Sequence, residues 1–260
     1  MKYDDVIISY DDSSPNTETL ALVLIHGFAY NKKMWDEQRT LLSKNHRVIT
    51  YDIRGHGKTT SGYKDYTMEL LADDLKHLID HLHLKNFILG GFSMGGYIAL
   101  AFCRKYKTPL KKLILMSTKH TADSEETKEN RQILAQRVES NGVESVSSIL
   151  INRMLTKETL KTHPEIKIRG QSMILEASAK GIASSSRAMG KRKDSTSVLS
   201  TITVPTLIIV GDEDRVTPVV FSEAMHSLIA DSVLEIIPNA GHLSNLDNPT
   251  AFTKALINFL

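Results

Sequence analysis

Six short runs rich in Val, Ile and Leu recur along the chain: Ala21 to Ile25, Arg47 to Tyr51, Asn86 to Leu89, Leu113 to Met116, Thr206 to Val210 and Val233 to Ile237. Runs this short and continuous read as strands buried on both faces. Between most of them lie amphipathic stretches, clearest from Met68 to Leu84, where Leu71, Leu75, Leu78 and Leu82 fall at helical spacing. Strands covered on both faces and separated by helices specify an α/β fold, a mostly parallel central sheet flanked by helices. The chain closes on a helix-start signature, Asn248 as cap and Pro249 in the first turn, with Phe252, Leu256 and Phe259 on one face.

One stretch breaks the alternation. From about Thr118 to Ser200 the sequence is polar and helical, with no credible strand before Val204 and Pro205. A connection of that length without structure of its own is improbable. It reads as an inserted α-helical cap, residues 119–200, between two parts of one core, residues 1–118 and 201–260. The insertion explains a length of 260 residues, long for one small core and short for two full domains.

The composition, 41% hydrophobic and 24% charged, is that of a soluble globular protein. Thirty-two Lys and Arg against thirty Asp and Glu leave a formal charge of +2, and the one basic cluster, Lys191-Arg192-Lys193, is short. Nucleic acid is therefore not an expected partner. No apolar run approaches the roughly 20 residues that span a bilayer, so no membrane partner is expected either. A lone Cys103 permits no intramolecular disulfide, and the acidic start Met1 to Asp5 lacks the apolar stretch of a signal peptide, which fits a cytoplasmic location. The sequence is compatible with a homo-oligomer and does not specify one.

The chemistry-bearing residues cluster at strand ends. Gly91-Phe92-Ser93-Met94-Gly95 follows the Asn86 to Leu89 run and precedes a helix-like run with Tyr97, Ile98, Ala101 and Phe102. A serine held on such a sharp strand-to-helix turn needs glycines beside it so that backbone can come close, and its hydroxyl then projects above the sheet. A serine hydroxyl becomes a nucleophile only when a base takes its proton and an acid orients that base. Gly211 to Pro218, after the Thr206 run, offers Asp212, Glu213 and Asp214; Asn239-Ala240-Gly241-His242, after the Val233 run, offers the base. Asp212 and Asp214 are both candidates for the orienting acid, and Asp123, after the Leu113 run, is a third. An oxyanion forming on a substrate carbonyl needs two backbone N–H donors. Met94 is the expected first, and Phe28, from the early loop His26-Gly27-Phe28, the second.

Taken together, His26-Gly27-Phe28, Asp52 to Gly57, the turn around Ser93, Gly211 to Pro218 and Ala240-Gly241-His242 resemble the α/β-hydrolase superfamily along nearly the whole chain. The resemblance implies a catalytic triad of Ser93, Asp214 and His242, favouring Asp214 because the family's acid stands three residues after the glycine and four before the proline. It makes the Asp52 to Gly57 loop supportive and His56 structural. The run after Met116, His163-Pro164-Glu165, and Gly241 to Pro249 look most like 3-oxoadipate enol-lactonases and related small carboxylesterases. Relatives commonly begin with a two-stranded hairpin, whereas Tyr3 to Tyr10 offers room for about one strand.

The implied activity is cleavage of a small-molecule carboxylic ester or lactone through an acyl-enzyme, with no metal or organic cofactor required. A serine at the turn argues against epoxide hydrolases and haloalkane dehalogenases, which place an aspartate there. Proline iminopeptidases, carbon–carbon bond hydrolases and cofactor-free haloperoxidases share the triad and stand as alternatives, as does a ligand receptor with little turnover. Several other features invite a bland reading. His77, His81 and His83 lie on a solvated helix face, Lys191 to Lys193 on a solvated loop, and Cys103 is a small packed side chain. Met154, Leu155, Met173, Ile174 and Met189 line an acyl pocket or form the cap's own core.

Overall fold

The structure is a computed structural model and describes residues 1–14, 20–107 and 110–260. Its strands, in chain order, are β1 (Lys2–Tyr3), β2 (Val6–Ile7), β3 (Tyr10–Asp12), β4 (Ala21–Ile25), β5 (Arg47–Tyr51), β6 (Phe87–Phe92), β7 (Leu110–Met116), β8 (Thr206–Gly211) and β9 (Ser232–Ile237). Seven of them form one sheet in the order β3-β5-β4-β6-β7-β8-β9. β3 runs antiparallel to β5 and every other pairing is parallel. The expected mostly parallel sheet is thus present. Because β4 lies between β5 and β6, the crossovers from β4 to β5 and from β5 to β6 run in opposite directions, which puts a topological switch point at the carboxyl ends of β4 and β6.

β4, β5, β6 and β8 are buried at every residue, as continuous apolar runs require. β9 differs from the expectation of burial on both faces. It is the edge strand, and Val233 and Ile236 are 49% and 44% exposed. The amphipathic stretch after β5 forms the helix Met68–His81, with Leu71, Leu75 and Leu78 buried. It stops short of Leu84 because His83 turns left-handed (φ 53°) and the Leu84 N–H reaches back to the Ile79 carbonyl at 3.0 Å, closing the helix end.

The amino terminus corrects the single-strand expectation. β1 and β2 pair as an antiparallel hairpin about Asp4 (φ 48°), and β3 follows separately. Strands of two or three residues are too short for a hydrophobic pattern to reveal. Side chains hold the hairpin: Asp5 accepts the Tyr63 N–H at 2.6 Å and pairs with Arg54 at 2.6 Å, while Arg54 grips Asp74 with Nε and Nη2 at 2.5 and 2.8 Å. Against the upward push of burial, these donors bring the Asp5 carboxyl down to about 2.

Between β7 and β8 the described residues hold helices only: Glu125–Asn141, Glu144–Met154, Lys157–Thr162, Pro164–Leu175, Ala179–Gly190 and Thr196–Leu199. Ser124, Thr156 and Ser178 each accept an N–H three residues on, which starts three of them. This segment rests on the loops after β4, β5 and β9. The Ser178 N–H donates to the Gly55 carbonyl at 2.8 Å, and the Leu243 N–H to the Met154 carbonyl at 3.0 Å. Met154, Leu155, Met173, Ile174 and Met189 are buried in the same apolar cluster as the sheet. Among the described residues no helix is long and apolar enough to cross a membrane.

Candidate active site

Ser93 joins β6 to the helix Met94–Lys105 and sits at φ 51°, ψ −111°, a backbone region that L residues rarely occupy. The glycines around it answer that geometry. A Cβ on Gly95 would stand 2.5 Å from the Ile25 carbonyl oxygen, and one on Gly91 would collide with the Gly95 carbonyl. The Ser93 carbonyl accepts the Thr118 hydroxyl at 2.8 Å, and the Ser93 N–H donates to the Met116 carbonyl at 2.8 Å. The residues directly after β7 therefore buttress the turn.

The structure brings Ser93, His242 and Asp214 together. His242 Nε2 lies 2.9 Å from Ser93 Oγ, and His242 Nδ1 lies 2.8 Å from Asp214 Oδ2. Because a carboxylate can only accept, Nδ1 carries the proton and Nε2 is free to accept from the serine hydroxyl. All three residues are at most 9% exposed, and the Phe92 ring packs on the imidazole at 5.3 Å. Asp214 Oδ1 accepts the N–H groups of Val216 and Thr217, each at 2.8 Å, and Oδ2 accepts the Thr217 hydroxyl at 2.7 Å. Burial pushes this carboxyl up, but His242 and the Thr217 donors outweigh it and hold it below its ordinary value.

Phe28 and Met94 bracket the serine. Gly27 comes so close that a Cβ on it would lie 3.5 Å from Ser93 Cβ, which brings the Phe28 backbone beside the nucleophile. The Phe28 and Met94 N–H groups donate to no acceptor among the described residues. The helix Met94–Lys105 also directs the positive end of its dipole at this point.

The other candidate acids do other work. Asp212 accepts the Ala240 N–H at 3.1 Å and so ties down the loop that carries His242; Glu213 is exposed. Asp123 pairs with Lys119, Arg131 and Arg192 at 3.2, 2.5 and 2.8 Å. This corrects the solvated reading of Lys191 to Lys193 at its centre. Arg192 is buried, with its guanidinium 4.1 Å from the Tyr97 ring, although Lys191 and Lys193 are exposed.

His26 and His56 lie under the site. His26 Nδ1 donates to the Gly27 carbonyl at 2.8 Å and Nε2 accepts the Ile53 N–H at 2.9 Å. Burial lowers His26 to about 4 and, with His26 beside it, His56 to about 3, so both are neutral struts. His77 stacks on Tyr3, His81 meets the Tyr10 hydroxyl at 3.4 Å, and His83 is exposed. Cys103 packs against the core on the helix after Ser93, where burial pushes its thiol up to about 12. The sequence motifs do not single out Thr217, although its place beside Pro218, three residues after the acid, is a signal for it.

Comparison with known proteins agrees with this architecture. A family model described as the alpha/beta hydrolase fold matches residues 21–249. The chain is 28% identical over 236 residues to 3-oxoadipate enol-lactonase 2 of Acinetobacter baylyi, covering 91% of this chain and 86% of that one. A thermophilic esterase from Thermogutta terrifontis, solved with malate bound, superposes with a TM-score of 0.92 at 39% identity, covering 97% and 92% of the two chains. The enol-lactonase from Burkholderia xenovorans superposes with a TM-score of 0.90 at 25% identity, covering 97% and 95%. A parallel sheet with Ser, Asp and His at its strand ends and a family match over most of the length lead to one conclusion: the chain belongs to the α/β-hydrolase fold family.

Proposed function

We propose that the protein is a serine hydrolase that cleaves a small carboxylic ester or lactone, with Ser93 as nucleophile, His242 as general base and acid, and Asp214 as the group that orients and stabilises the imidazole. The observation that carries this reading is the unbroken relay from Ser93 Oγ through His242 to Asp214 Oδ2, at 2.9 and 2.8 Å. Likeness to an esterase and to enol-lactonases supports the substrate class.

Ser93 Oγ attacks the carbonyl carbon as its proton passes to His242 Nε2, and the negative charge gathers on the carbonyl oxygen. The N–H groups of Phe28 and Met94, without acceptors in the free protein, receive that oxygen. Collapse of the tetrahedral intermediate breaks the acyl C–O bond, and the imidazolium returns its proton to the departing alkoxide or enolate. Water then attacks the acyl-enzyme with His242 again as base, which releases the acid and restores Ser93. Residues 119–200 act as a cap over the core formed by residues 1–118 and 201–260, and select the substrate.

A fluorophosphonate probe and p-nitrophenyl esters of increasing chain length test the reading, alongside the enol-lactone itself. The native protein becomes labelled and turns over many times, whereas Ser93→Ala does neither. Binding or a single reaction without multiple turnover would instead indicate a receptor.

A further inference from the structure

A small crevice beside the helix Met94–Lys105, with none of Ser93, Asp214 and His242 in its lining, is lined by Arg104, Lys119, His120, Arg192 and Lys193, with Glu69 the carboxylate among its lining residues. Its charge is not balanced. Asp123 is a single carboxylate set against Lys119, Arg131 and Arg192. Glu69 meets Arg104 at 3.3 Å, and Asp194, the acid acting on His120, already accepts the N–H groups of Thr196 and Ala122. Burial, and next Arg192, push the Lys119 ammonium down, as an excess of positive charge in a confined place would.

Two nitrogens of residues that line this crevice lack partners. Arg192 satisfies its Nη atoms with Asp123 and with the carbonyls of Met189 and Thr121, yet its Nε is buried with no acceptor among the described residues. His120 Nδ1 is buried and unpartnered in the same way, and both residues are 7% exposed. A buried cation with an unmade hydrogen bond is costly unless something accepts it. The cavity volume is about 10 Å³, roughly one water-sized sphere. A neutral water would satisfy the hydrogen bonds and leave the charge uncompensated.

We infer that this crevice is a binding site for a small anion that buries a single atom there, a halide or one terminal oxygen of a carboxylate or phosphate, between Arg104, His120, Arg192 and Lys193. The site joins two parts of the fold. Tyr97 and Arg104 belong to the helix that follows Ser93, Lys119 and His120 follow the Thr118 that buttresses Ser93, and Arg192 and Lys193 begin the return from the helix Ala179–Gly190 toward the sheet. An anion there fastens that return to the nucleophile helix.

The test is thermal melting in rising sodium chloride, acetate or phosphate, with ionic strength held constant by the sodium salt of a bulky sulfonate. At least one of the three anions raises the midpoint saturably, and which one does so identifies the source. Arg104→Gln weakens half-saturation about tenfold, the loss of one charge-assisted hydrogen bond, and Glu69→Gln tightens it by removing a repelling carboxylate. Ser93→Ala leaves half-saturation unchanged, which separates this site from the proposed hydrolytic one. The inference is overturned if none of the three anions gives a saturable rise. It is equally overturned if Arg104→Gln and Glu69→Gln match the parent, or if Ser93→Ala shifts the half-saturation.

Discussion

Thr217 donates its hydroxyl hydrogen to Asp214 Oδ2 at 2.7 Å, the same carboxylate oxygen that receives His242 Nδ1 at 2.8 Å, and its Oγ1 also lies 3.3 Å from that nitrogen. One hydroxyl thus holds the acid in register with the base. Thr217→Val removes the donor while keeping the volume, and kcat/KM for an ester falls about tenfold, the loss of one hydrogen bond to a charged group. Asp214 is also held less firmly below its ordinary value, so activity lost on acidification disappears at a higher pH than in the parent. Thr217→Ser restores both. Steady-state pH profiles of the three proteins check this, and an unmoved acid limb in Thr217→Val would count against the role.

The turn at Ser93 depends on glycine for steric reasons that a pair of alanine substitutions separates. Gly95→Ala drives a methyl to 2.5 Å from the Ile25 carbonyl, where backbone must move, and costs about 3 kcal/mol or leaves the chain unfolded. Gly190→Ala, in a helix, meets the Arg131 side chain at 3.6 Å and the Lys128 Cα at 3.8 Å, both ordinary contacts, and gains about 0.5 kcal/mol. Urea unfolding midpoints of the two variants should move in opposite directions.

His26 and His56 make the fold acid-sensitive. Their folded values, about 4 and about 3, lie below the ordinary 6.5, so on acidification the unfolded chain takes up protons first. Stability is therefore full above about pH 6.5 and falls steadily as the pH drops toward about 4. Urea unfolding at pH values across this window measures the slope. His56→Asn lowers stability at neutral pH but flattens the slope; a slope as steep as the parent's would assign the acid sensitivity elsewhere.

Asp123 is the single carboxylate that faces Lys119, Arg131 and Arg192, and despite burial Arg192 and Arg131 hold it well below the usual carboxylate range. Asp123→Asn leaves three cations in contact without their anion and costs about 3 to 5 kcal/mol, read from denaturant midpoints.

Much of the sheet was legible because its central strands are buried on both faces, and continuous apolar runs mark their bounds closely; β4 and β5 begin and end where the pattern does. The edges were less legible. β9 carries the same apolar signature as the interior strands although Val233 and Ile236 face solvent, and β1 and β2 are held by Arg54 and Tyr63 rather than by a hydrophobic pattern. In the site, spacing leaves Asp212, Asp214 and Asp123 open as the acid and only the resemblance favours Asp214; the structure sets Asp214 against the imidazole, Asp212 against the Ala240 N–H and Asp123 against Lys119, Arg131 and Arg192. Arg192 departs from the solvated reading because a run of three basic residues does not reveal that its middle member turns inward onto Tyr97 and Asp123.

Gly55 and Gly181 meet backbone to backbone, so closely that a Cβ on either would overlap the other's main chain. The mating surface between the helical segment and the sheet is therefore made at this point of peptide atoms, which mutation of a side chain cannot reshape. Exchange of Glu125–Leu175 for a different set of helices would leave this backbone contact in place, because neither glycine lies within the exchanged span.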